Sequence, residues 1–168
     1  MKRHFDWAAG VDLSMTSTGV AIVAAPHMNA NPRWELQRVK SAPELFNDGP
    51  PDKKGKLTAT FRSRYCRMEN IADRIAAIVP DNSLVFIEGP SYGSKGAGTF
   101  DRAGLWWLVY ETLALSKHCD VAVVAPAQRM MYATGSGRAD KDAVLAAVVA
   151  RYRHLSVTGN DVADAVVF

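Results

Sequence analysis

Four carboxylates, spread over the length of the chain, stand in settings that would let them share one metal site. Asp12 closes the first apolar run, in Ala-Ala-Gly-Val-Asp-Leu-Ser, and Glu88 closes a second, Leu-Val-Phe-Ile-Glu. Asp161 and Asp164 lie three residues apart in Gly-Asn-Asp-Val-Ala-Asp-Ala, at the head of the last helical pattern. Residues i and i+3 share a helix face, and neighbouring strands lie about 4.8 Å apart, so two strand-end acids and a helical pair can converge. Gathered carboxylates repel one another and need metal, protons or both. Mg²⁺ prefers oxygen ligands in octahedral geometry. Two such ions about 3.5–4 Å apart stabilise both the attacking and the leaving oxygen of a phosphodiester. The chemistry this set would support is metal-assisted phosphodiester hydrolysis.

Two of the acids also have an ordinary explanation. Asp12 could be a strand-end acid before the turn residues Ser14, Thr16 and Ser17. Asp161 would suit the positive end of a helix dipole. Glu88 follows four apolar residues, and a buried lone carboxylate is costly. The ordinary explanations do not account for Asp164 together with the two strand acids.

The elements that must position these groups follow from periodicity. Residues 7–14 and 19–25 are rich in Val, Ile and Ala and flank Ser-Met-Thr-Ser-Thr-Gly, which predicts a β-hairpin. Residues 33–40 alternate polar and apolar, as in a half-exposed strand. Residues 41–57 carry Pro, Gly, Asp and Lys and are expected to form a mobile loop. From 58 to 79, the spacing of Phe61, Tyr65, Met68, Ile71, Ile75 and Ile78 predicts a helix, stopped by Pro80-Asp81-Asn82. A short buried strand at 84–87 delivers Glu88, and a Gly/Ser/Lys loop spans 89–98. A very apolar helix is expected at 101–117, with Trp106 in the core or at a dimer interface. Then come a strand at 121–125, a short helical turn at 126–133, a helix at 139–152 and a last helix from Asn160. That last helix would be expected to run beyond Phe168. Three strands followed by alternating helices and strands imply a five-stranded mixed α/β sheet flanked by helices.

Composition sets the frame. A chain of 168 residues fits one domain. With 48% hydrophobic and 22% charged residues it has the make-up of a soluble globule. No apolar run reaches the roughly 20 residues that span a membrane. Cys66 and Cys119 are isolated, which suggests a reducing compartment, and the cytoplasm is the expected location. His4, His27, His118 and His154 have no mutual spacing that signals a site. The net charge is +3, but six basic residues (Lys53, Lys54, Lys56, Arg62, Arg64, Arg67) fall between 53 and 67 with no acid among them. Such a run is often just a solvated face, yet basic flanks around an acidic centre suit a phosphate-rich ligand.

Taken in order, these pieces resemble the RuvC-type Holliday junction resolvases, and among them the divergent bacteriophage-type members. The resemblance covers most of the chain. It rests on Gly10-Val-Asp12 with Gly19, Phe86-Ile-Glu88, Arg102-Ala-Gly104 and Pro126-Ala-Gln-Arg129. It continues through Thr134-Gly-Ser-Gly-Arg-Ala-Asp-Lys141 and Asn160-Asp161-Val-Ala-Asp164-Ala165. It implies an RNase H-like fold whose first three strands are antiparallel, and a homodimer in a bacterial or phage-infected cell. It also implies endonuclease action on four-way junctions with two Mg²⁺ per site, Mn²⁺ substituting, and no nucleotide cofactor. Asp12, Glu88, Asp161 and Asp164 would be the metal ligands. Lys141 and Arg129 would contact the scissile phosphate or nearby backbone. Tyr92 is the candidate aromatic for probing the junction centre. Lys95, Arg138, Lys53, Lys54, Lys56, Arg62 and Arg64 are further DNA-binding candidates.

Three other readings compete. The same fold could cut flaps, other branched DNA or RNA–DNA hybrids, or could bind DNA as a catalytically silent dimer. The stretch from Gly10 to Gly19 also resembles the first phosphate loop of sugar kinases and actin-like ATPases. Those proteins need two such domains, and the terminal Asp-x-x-Asp has no place in them.

Overall fold

The structure is a computed structural model that describes residues 4–25, 32–90, 96 and 98–168. Its centre is a five-stranded mixed sheet. Strand β1 (Trp7–Asp12) turns back into β2 (Ser17–Ala24), with Asp12 opposite Gly19. The turn is closed by Thr18, whose hydroxyl accepts from Ser14 N at 3.1 Å and donates to Ser14 O at 3.0 Å. Strand β3 (Trp34–Lys40) runs antiparallel to β2. Strands β4 (Leu84–Glu88) and β5 (Asp120–Val124) continue the sheet on the other side of β1, both parallel to it, in the order β3-β2-β1-β4-β5.

Alternation along the strands separates two cores. Ala9, Val11, Val20, Ile22, Val85 and Ile87 point to one face, which is covered by α1 (Phe61–Ile78) and α2 (Thr99–Glu111). The other face carries α3 (Pro126–Thr134), α4 (Lys141–Arg151) and α5 (Asn160–Val166), whose Val144, Val148, Val162, Ala165 and Val166 form the second core around Ala21. Local signals set the helix ends. Thr60 accepts from Ser63 N to start α1, Asp140 accepts from Ala143 N at 2.8 Å to start α4, and Pro126 occupies the first turn of α3, where its missing N–H costs nothing.

Several segments differ from the periodicity reading. Phe61 and Tyr65 belong to the apolar repeat, yet they are 79% and 47% exposed. The buried apolar stripe of α1 begins at Met68, whose sulfur lies against Gly104 of α2. The second long helix widens into a π-helical turn at Thr112–Ser116, which buries Leu113 and leaves Leu115 exposed. Trp106 belongs to the core, while Trp107 faces out. The short turn expected at 126–133 is a full helix. The 41–57 segment has internal order. It contains a 3₁₀ turn at Pro43–Phe46, and a tight turn in which Asp52 Oδ1 accepts from Lys54 N and Lys56 N.

Candidate metal centre

Asp12 and Glu88 meet because β1 and β4 are parallel neighbours, paired Val11 to Ile87, so both chains reach their C-terminal ends side by side. Alternation turns both acids away from the face of Val11 and Ile87 and toward α5. The approach of α5 depends on two glycines. A Cβ on Gly10 would overlap the Ala165 carbonyl oxygen, and one on Gly19 would overlap the Asp161 carbonyl. With hydrogen there instead, α5 lies on β1 and β2 and carries Asp161 and Asp164 to the same sheet edge. Asp164 is almost fully buried, whereas the Asp161 side chain is about one-third exposed.

Asp161, Glu88 and Asp164 each have a fixed support. Ser17 donates its hydroxyl to Asp161 Oδ2 at 2.6 Å, and Arg38 Nε lies 3.6 Å from the same oxygen. Arg38 also donates to the Thr158 carbonyl just before α5. Trp106 Nε1 donates to the Glu88 carbonyl at 2.8 Å, which ties the strand end to α2. Arg129 of α3 stands between the acids, with Nη2 3.2 Å from Glu88 Oε2 and Nη1 against Asp164 Oδ1.

The electrostatics are those of a site short of positive charge. The Asp12 carboxyl is raised to about 7, first by burial and then by the charges of Asp164, Glu88 and Asp161, with Arg129 opposing them. Burial likewise raises Glu88, with Arg129 and Lys141 pulling the other way and Asp164 adding to the rise. Burial weakens the hold of Arg129 on its proton, but Asp164, Glu88 and Asp12 outweigh that and strengthen it. Glu88 Oε2 is buried and, apart from its ion pair with Arg129, accepts no aligned hydrogen bond. A donor set made of carboxylate oxygens, with more negative than positive charge and a buried acceptor without an aligned hydrogen bond, fits a hard divalent cation. As they stand, no three acids among the described residues are gathered closely enough to grip one ion.

The remaining sequence candidates are distributed around this centre. Lys141, in the first turn of α4, is exposed and close enough to act on the charge of Glu88. Arg138 is exposed in the loop before it. Lys53, Lys54, Lys56 and Arg62 are exposed. Their segment leaves the sheet at the site's own edge, where Ser41 N donates to Thr16 O and Arg67 reaches both Ser41 Oγ and Met15 O. Arg64 is engaged with Asp101 of α2. Tyr92 and Lys95 lie outside the described residues.

Sequence reasoning missed Arg38, and read Ser17 only as a turn residue. The alternating pattern of 33–40 marks Arg38 as a polar strand position, but only the pairing of Gly19 with Arg38 brings it beside α5.

Neither a protein-family model nor a curated protein matches the chain by sequence. Solved structures do match. Thermus thermophilus RuvC superposes with a TM-score of 0.64 at 19% identity, covering 96% of this chain and 89% of that one. T. thermophilus RuvC in complex with a Holliday junction substrate gives 0.57 at 20% identity, over 98% and 90%. A Fowlpox virus resolvase, in complex with its substrate Holliday junction DNA, gives 0.58 at 12% identity, over 94% and 90%. At these identities the likeness speaks for architecture: the chain has the RNase H-like fold in the form seen in RuvC and the poxvirus resolvase.

Proposed function

We propose that this chain is a divalent-metal-dependent endonuclease that resolves four-way DNA junctions, leaving 5′-phosphate and 3′-hydroxyl ends. The observation that carries this reading is the convergence of Asp12, Glu88, Asp161 and Asp164 on one edge of a sheet whose fold is shared with two junction-bound proteins.

Asp12, Glu88, Asp161 and Asp164 would hold the ions, Mg²⁺ by preference, with Mn²⁺ accepted. When bound, such ions supply the Lewis acidity that activates water and stabilises the departing 3′-oxygen. The protein's own part is positioning. Ser17 and Arg38 orient Asp161, and Trp106 anchors the backbone of Glu88. Lys141 would neutralise charge building on the attacked phosphate, a contribution of about 3 kcal/mol for a well-placed group. The exposed lysines at 53, 54 and 56, with Arg62 and Arg138, would hold DNA arms by their phosphates, which makes binding shape-selective and salt-sensitive. Two copies in a symmetric dimer would present two sites to the two-fold symmetry of a junction. The free thiols of Cys66 and Cys119 suit action in a reducing cytoplasm.

The test is cleavage of a labelled four-way junction beside matched duplex, flap and RNA–DNA hybrid, with Mg²⁺ and with EDTA, by wild type and Asp161→Asn. The reading expects paired symmetric nicks in the junction that need metal and vanish in the variant. Equal or faster cutting of flaps or hybrids would make the chain a broader nuclease, and tight junction binding without cutting would make it a silent binding module.

A further inference from the structure

Arg129 is drawn into the acid cluster rather than laid over it. The residue is only 9% exposed, its guanidinium touches both Glu88 and Asp164, and it sits 5.5 Å over the Phe168 ring. A buried charge normally secures itself with aligned hydrogen bonds. Here Arg129 Nε and Nη1 and Glu88 Oε2 are all buried without one. Charge therefore attracts the guanidinium to this position while its contacts with the two carboxylates stay poorly aligned. It also stands between two acids that would have to approach each other to share an ion.

We propose that Arg129 is a resident counter-ion that holds Glu88 and Asp164 until divalent cations arrive, and that its guanidinium then leaves both carboxylates. This rests on the metal reading of the site. The backbone of α3 need not move, because Pro126 and the bond from Ala125 N to Gln128 Oε1, 3.0 Å long, fix its start. Rotation of the long side chain is enough. Cation binding must then compete with a charge already in place, so removing that charge strengthens it.

The test follows Mg²⁺ titrated into the full chain by NMR, reading backbone amides around Asp12, Glu88 and Asp161 together with the Arg129 Nε–H signal. Calorimetry measures Mg²⁺ binding to wild type, Arg129→Gln and Arg129→Lys. The expected result is that the Nε–H signal shifts and exchanges faster with water over the same Mg²⁺ range that moves the amides. Arg129→Gln should bind Mg²⁺ at least about tenfold tighter, a change of about 1.4 kcal/mol. Arg129→Lys, which keeps the charge without the two-pronged bridge, should fall between. Amides that saturate while the Nε–H signal stays still would overturn this inference and leave the metal reading intact. Absence of any Mg²⁺ or Mn²⁺ binding would overturn both. If Arg129→Gln does not fold, the wild-type NMR titration decides alone.

Discussion

Arg64 and Arg129 both meet carboxylates, on opposite faces of one sheet, and the two contacts share little else. Arg64 joins α1 to α2 through Asp101, with Nε 3.1 and 3.0 Å from the two carboxylate oxygens and Nη2 2.5 Å from one of them. One cation meets one anion in a well-aligned fork, the geometry that makes such pairs strong. Arg129 faces Glu88 and Asp164 with Asp12 close behind, is more deeply buried, and makes no aligned hydrogen bond through Nε or Nη1. The first contact is complete in itself and braces two helices. The second is a single cation among several anions, the setting that the proposed metal reading starts from.

The contrast breaks most sharply at the acids. Asp164→Asn should lower Mg²⁺-dependent junction cleavage on the order of 10³-fold in single-turnover assays, comparable to removal of one key electrostatic group, whereas Asp101→Asn should stay within about twofold. Next is the packing that makes the acidic face possible. Gly19→Ala would push a methyl into the Asp161 carbonyl and should cost about 3 kcal/mol in denaturant unfolding, with activity lost in proportion as α5 is displaced.

A pH-dependent effect also separates the faces. The Asp12 carboxyl titrates near 7 in the fold against an ordinary 3.8. The folded protein thus holds that proton more tightly than the unfolded chain. The associated stability is complete below about pH 4 and is lost as pH rises through 7. Asp12→Asn, permanently neutral, should come close to the metal-free wild type near pH 4 and exceed it by up to about 4 kcal/mol at pH 8. Melting curves without metal at the two pH values check this. The smallest change belongs to the completed pair: Asp101→Asn should cost no more than about 1 kcal/mol at either pH, seen as a small and pH-independent drop in melting temperature.

Much of this was legible in the residues because it depends on local pattern. Strand-end acids, the i, i+3 pair and the helical periods at 61–78 and 141–151 are short-range signals, and the five-stranded mixed sheet followed from their order. Relations across the sheet were not legible. That Arg38 reaches Asp161 depends on the register between β2 and β3, which no local pattern encodes. That Arg129 enters the cluster depends on how α3 sets its side chain against Glu88 of β4 and Asp164 of α5. Exposure of Phe61 and Tyr65 shows the converse limit, since an apolar period says which residues share a face but not how far the partner surface extends.

The most direct test of the central claim, that Asp12, Glu88, Asp161 and Asp164 form one divalent-cation site, is the anomalous scattering of crystals soaked in Mn²⁺. Strong anomalous peaks are expected among these four carboxylates, with the Arg129 guanidinium withdrawn from Glu88 and Asp164. No peak there, with Arg129 still bridging the two acids at saturating Mn²⁺, would contradict that claim.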